Sequence, residues 1–295
     1  MKINVGYIGL GNIGKPCAQR LICDAFNAHV YDVSAPAVEE LVAEGAIGCT
    51  SAAALAKICV HIGICVRDDA QVENLLHGDD GIFAHASPGT LIAIHSTVTQ
   101  ANLLLWAEEA TGLGLNLIDA PITGGAHRAL DGTLCYMVGG SVDQLAQGSP
   151  VFQTSAEKIV HAGPVGCGIA LKLCNNFIQY TEFVAMVEAT RLAEACGLSV
   201  EVLRDVGLSN GVVNQQMFMF ASGRNAVVKT TSEEDMDAYF GAMGRLGRKD
   251  LECAISTANA KGVVMPTAQY ICDRIENVFM AKDESRPPMS QEPTV

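Results

Sequence analysis

Residues 3 to 8, INVGYI, form an apolar run that enters the glycine-rich GLGNIG, and KPCAQRLICDAF follows with helical spacing. That pattern predicts a strand, a tight turn and a helix. AHVYD, ending at Asp32, reads as a second strand, and SAPAVEELVAEG reads as a helix behind a capping-type Ser34. ICVHIGICV, through Val66, is apolar along its whole length, which suits a strand covered on both faces. A helix near 69–77, the strand TLIAIHS, the helix ANLLLWAEEATGLG and the strands LNLIDAP, LCYMVGG and EKIVHAG continue the alternation. Strands that alternate with helices predict an α/β, Rossmann-like, doubly wound and mostly parallel sheet.

Beyond residue 166 the period changes. One helix of unusual length is expected near 169–196, and VEVLRDVG, NQQMFMFAS, a stretch near 246–261 and PTAQYICDRIENVFMA all have helical spacing. The expected organisation is therefore an α/β domain over 1–166 and an all-helical domain over 167–295. Residues 283–295 carry charge and proline with little apolar content and read as a flexible tail.

Composition narrows the function classes. At 295 residues with 49% hydrophobic content the chain can build two ordinary cores. A formal net charge of -13 argues against a general nucleic-acid partner. Apolar runs are short and interrupted, so no membrane span is expected and the cytoplasm is the expected location. The 11 cysteines are scattered in apolar surroundings and read as buried thiols. Cys59, His61 and Cys65 lack a zinc-site arrangement, so no metal is assigned.

GLGNIG places Gly9, Gly11 and Gly14 between a strand and a helix, the setting of a dinucleotide-binding turn. The first glycine permits the turn, the second admits a pyrophosphate, and the third lets helix and strand approach. Asp32 closes the next strand, where a carboxylate accepts ribose hydroxyls and repels a 2′-phosphate; it can equally serve as a turn acid. No basic residue lies in YDVSAPAVEE, which favours NAD over NADP. Thr123, Gly124 and Gly125 follow LNLID at a strand's carboxyl end and could hold an anion or simply make a loop. His127 and Arg128 lie just beyond them.

GIALKLCNN sets one lysine, Lys172, in an apolar and amide-rich helix start. A buried ammonium needs a structural partner or a chemical purpose. Lys172, Asn175 and Asn176 share one helical face by spacing.

Taken together, GYIGLGNIGKPCAQRL, DAPITGG, GTLCYMVGG, GCGIALKLCNN and GRKDLECAI resemble the β-hydroxyacid dehydrogenase family over residues 3 to 282. That resemblance implies a Rossmann-like domain, a helical domain, and oxidation of a small β-hydroxy acid with NAD, or the reverse reduction. 3-Hydroxyisobutyrate is the leading substrate type, with a tartronate semialdehyde or glyoxylate reductase and a non-catalytic NAD sensor as alternatives. It implies a homodimer or homotetramer. Gly9, Leu10, Gly11, Asn12, Ile13 and Gly14 are the implied cofactor turn, joined by Asp32, Val66, Thr97 and Lys249. Lys172 is the implied catalytic lysine and Asn176 its companion, with Thr123, Gly124 and Gly125 as the carboxylate loop. Burial and a nearby Lys249 or Arg128 would favour a neutral Lys172. Ile13 stands where the family has methionine, VRDD and IHSTVTQ lack expected prolines, and HRALDG replaces a small-residue loop.

Overall fold

The computed structural model describes residues 2–228 and 230–283, so most of the expected tail lies outside the described residues. Nine strands form one sheet: β1 (Ile3–Ile8), β2 (Phe26–Tyr31), β3 (Ile47–Gly48), β4 (His61–Ile64), β5 (Leu91–Ile94), β6 (Asn116–Asp119), β7 (Ile122–Thr123), β8 (Leu134–Gly139) and β9 (Ala156–Gly163). Their order is β3-β2-β1-β4-β5-β6-β8-β7, with β9 pairing β8. Strands β1 to β6 pair in parallel, whereas β8 runs antiparallel to β6 and β7. The doubly wound sheet expected from the alternation is present, with an antiparallel turnover near its last strands.

Register explains the apolar runs. All four residues of β4 and of β5 are buried. Leu91 and Ala93 pack into one core, while Ile92 and Ile94 pack into the core on the opposite face. Each such Leu or Ile contributes roughly 1.5–3 kcal/mol by leaving water. Because β1 lies between β2 and β4, the chain departs to opposite sides of β1, and the crevice at such a switch point is where ligands bind.

The chain divides into two compact units between Leu173 and Cys174. That division falls within the helix Cys167–Ala195, 29 residues long. The second unit is helical, comprising Val200–Asn210, Gln215–Val227, Glu233–Met236, Ala242–Ala260, Pro266–Cys272 and Ile275–Phe279. Its core gathers Tyr180, Phe183, Val187, Phe240, Leu251 and Phe279. Phe183 stacks on Phe220 with ring centroids 4.3 Å apart.

Several local expectations change. Ser34 occupies the N-cap position, yet its side chain makes no capping bond; its backbone N–H instead donates to Asp32 at 2.8 Å. The helix Val142–Phe152 was not expected, since Gly148 and Pro150 interrupt its pattern. Its capping box, Ser141 with Gln144, is the signal that identifies it. PTAQYICDRIENVFMA splits at Asp273 and Arg274 into two short helices, which lets Ala268, Ile271, Ile275 and Val278 all reach the core.

Candidate active site

The expected cofactor residues follow the carboxyl ends of successive strands. The glycine turn follows β1, Asp32 follows β2, Val66 follows β4 and Thr97 follows β5. Gly9 has φ +93°, and a Cβ there would stand 2.3 Å from the Cys65 carbonyl oxygen. A Cβ on Gly14 would come within 1.9 Å of the Gly9 carbonyl oxygen, so both positions exclude a side chain. Gly11 differs: a Cβ there would meet nothing within 4 Å. Its space is open, as a cradle for a ligand phosphate requires. The helix Gly14–Arg20 begins directly after this turn, and the Lys15 N–H donates to the Gly11 carbonyl at 3.0 Å.

Asp32 braces that turn directly. Its Oδ2 accepts from the Leu10 N–H at 2.6 Å and its Oδ1 from Ser34 at 2.8 Å. Each carboxylate oxygen keeps a second acceptor site, so support of the turn and binding of a ribose diol are compatible. Val66 donates its backbone N–H to Ser96 Oγ at 2.8 Å, which ties the ends of β4 and β5 together. Thr97 is half-buried next to that tie. The turn, the open face of Gly11 and the Asp32 carboxylate fit a dinucleotide, which when bound supplies the hydride acceptor or donor.

A second group gathers beyond β6. Lys172 donates from Nζ to the Ile122 carbonyl at 2.8 Å, one residue before Thr123. Thr123 is half-buried, and Gly124 and Gly125 take φ of +133° and +77°. A Cβ on Gly125 would meet nothing within 4 Å, so its backbone is approachable. Thr123, Gly124, Gly125 and Lys172 therefore form one cluster. Burial pushes the Cys65 thiol up to about 12, with Lys172 among the groups that act against that rise.

Asn176 and Lys249 meet through a residue that sequence reasoning overlooked. Asp250 is buried, and its Oδ2 accepts from Asn176 Nδ2 at 2.7 Å and from the Tyr180 hydroxyl at 3.2 Å. Lys249 Nζ stands 3.1 Å from Asp250 Oδ1. Asn175 Nδ2 donates to Asn176 Oδ1 at 3.2 Å, which completes the orientation of that amide. The only sequence signal for Asp250 was its place after Lys249 in GRKDL.

The aliphatic stem of Arg128 lies against Gly124, but its guanidinium is engaged elsewhere: it pairs with Glu157 at 3.0 Å and donates from Nε to Thr133. His127 is exposed and pairs with Asp131 at 3.2 Å. Asp119, at the end of β6, is fully buried and was also overlooked. Among the described residues no cluster of three metal-ligating side chains occurs, and no helix is long and apolar enough to cross a membrane.

Comparison with known proteins matches both parts of the chain to described families. Residues 4–163 match the NAD-binding domain of 6-phosphogluconate dehydrogenase, and residues 166–285 match the family described as NAD-binding of NADP-dependent 3-hydroxyisobutyrate dehydrogenase. An NAD-dependent L-serine dehydrogenase of Pseudomonas aeruginosa is 32% identical over 262 residues, 89% of this chain and 87% of that protein. A 3-hydroxyisobutyrate dehydrogenase from the same organism is 31% identical over 257 residues, 87% of this chain and 86% of that protein. The solved structure of Mycobacterium tuberculosis 3-hydroxyisobutyrate dehydrogenase with L-serine has a TM-score of 0.82 at 26% identity, covering 96% of this chain and 98% of that one.

Proposed function

The chain belongs to the β-hydroxyacid dehydrogenase family, and from that premise we propose that it oxidises a small acid bearing a hydroxymethyl group beside the carboxylate-bearing carbon. L-Serine and 3-hydroxyisobutyrate, named for its relatives, share that unit. The reverse reaction reduces the matching semialdehyde. One observation carries the assignment of roles: the Lys172 ammonium is held at the carbonyl next to Thr123 and the glycine loop.

Thr123 Oγ1 and the Gly124 and Gly125 amides hold the substrate carboxylate. In oxidation a neutral Lys172 Nζ accepts the hydroxyl proton; in reduction its ammonium returns a proton to the developing alkoxide. Asn176, on the same helix as Lys172 and oriented by Asp250 and Asn175, is its polar companion, and Lys249 pairs with that same Asp250. Asp32 selects NAD by repelling a 2′-phosphate. The 11 thiols suit a reducing cytoplasm.

A homodimer or homotetramer accounts for an apolar stripe on the long helix. Ile178 and Leu192 are 56% and 68% exposed and, with exposed Ala185, recur every seven residues along one face.

The test is NADH absorbance with L-serine, 3-hydroxyisobutyrate, glycerate, and tartronate semialdehyde in reverse, for wild type and Lys172→Ala. Turnover of hydroxymethyl acids, lost by about 10²–10⁴-fold in Lys172→Ala with NAD binding retained, supports the reading. Preference for tartronate semialdehyde selects the reductase instead. NAD binding without turnover of any acid selects a sensor.

A further inference from the structure

Asp119 ends β6 with 0% exposure, an expensive place for a carboxylate. Its Oδ1 accepts the Gly166 N–H at 2.8 Å and its Oδ2 the Ile169 N–H at 2.6 Å. Ile169 lies in the first turn of the helix that carries Lys172, and Gly166 immediately precedes that helix. The fit is close on every side. A Cβ on Gly139 would lie 2.3 Å from Asp119 Oδ1, and one on Gly168 would lie 2.9 Å from Oδ2 and 2.3 Å from the Met137 carbonyl oxygen. Two glycines thus clear the space into which one carboxylate locks. Burial pushes Asp119 up to about 6, against the opposing pull of the Gly166 and Ile169 amides, so it is ionised near neutral pH.

The link runs in step with a second one. Three residues beyond Asp119 is Ile122, whose carbonyl accepts from Lys172; three residues beyond Ile169 is Lys172 itself. The segment from Asp119 to Ile122 is therefore tied to the helix at two successive turns. One tie is the buried carboxylate, the other the catalytic ammonium. Thr123 and the two glycines begin where the second tie ends.

We infer that Asp119 is a positioning residue for hydride-transfer chemistry, fixing the separation between Lys172 Nζ and the Thr123–Gly125 carboxylate loop. It touches neither substrate nor cofactor. An ordinary helix cap would need only one amide and would leave turnover per folded molecule unchanged when weakened. Here the cap and the loop share one strand end, so weakening it displaces the proton carrier from the substrate. A misplacement near 1 Å costs roughly 10²-fold in rate.

This inference rests on the proton-transfer role of Lys172. The closing experiment compares Asp119→Asn with Lys172→Ala in the full chain, with kcat normalised to the NAD-binding sites counted by titration. In Asp119→Asn an amide NH₂ replaces one acceptor and faces a backbone N–H. The expected result is a kcat about 10²-fold lower per NAD-binding site, with KM for NAD within about threefold of wild type and KM for the acid raised. Gly139→Ala, which presses on Oδ1, is the second perturbation if Asp119→Asn folds poorly, and the same split is expected. Wild-type kcat per site in a folded variant of either kind, with Lys172→Ala inactive, overturns the inference but leaves the lysine's role standing. An active Lys172→Ala overturns both.

Discussion

Two histidines in the sheet core should make the NAD-binding unit lose stability in mild acid. His61 and His95 are buried, and both nitrogens of His61 lack a hydrogen-bond partner. His95 donates from Nδ1 to the Ala120 carbonyl at 2.8 Å and stacks on Tyr7. Burial lowers His61 to about 3 and His95 to about 4. In the unfolded chain both titrate near 6.5. Between those values the unfolded state binds the extra protons, so stability is fully present above about pH 6.5 and is lost as the pH falls. From pH 7.5 to 5.0 each histidine removes about 2 kcal/mol, or about 4 kcal/mol together.

Asp119 works in the opposite direction. With its folded value raised to about 6, its carboxyl takes up a proton in the folded state first. This returns about 1.4 kcal/mol at pH 5.0, leaving a net loss of about 2.5 kcal/mol. Urea unfolding, followed by fluorescence of the single tryptophan, Trp106 in the first unit, measures it. With a urea slope of roughly 2 kcal/mol/M, the midpoint should fall by about 1 M between pH 7.5 and 5.0. His61→Leu should remove about half of the histidine contribution. A midpoint that does not move with pH, or an unchanged pH response in His61→Leu, would refute the reasoning.

Gly11→Ala should leave thermal stability near wild type, because its Cβ meets nothing within 4 Å, while titration shows NAD affinity weakened by about tenfold or more. Asp250→Asn disturbs Asn176, Tyr180 and Lys249 together, and chemical denaturation should show a loss of about 1–3 kcal/mol. Ile178→Arg places charge in the exposed apolar stripe, and sedimentation should show a smaller assembly than wild type.

Much of the fold was legible because local pattern and tertiary environment agree. INVGYI, ICVHIGICV and TLIAIHS are mostly apolar, and β1, β4 and β5 lie inside the sheet with a neighbour on each side. The helix expected near 169–196 appears as Cys167–Ala195, since nothing in that stretch breaks helical spacing. Strands β3 and β7, of two residues each, went unseen because two residues carry no period. In the same way, GLGNIG and Asp32 were legible because strand, turn and acid follow one another within a few dozen residues.

The sequence by itself determined the residue types that chemistry requires: glycines without side chains, an acid at a strand end, one lysine among amides. Long-range partners were decided only by tertiary structure. Asp119 and Gly166 are 47 residues apart, and Asn176 and Asp250 are 74 apart. Neither pair has a repeating interval that a periodic reading could detect. The lysine that seemed costly in an apolar helix is met by the Ile122 carbonyl 50 residues earlier. Hydrophobic period follows from the geometry of a single element, whereas a buried polar group is satisfied by whichever distant backbone the fold delivers to it.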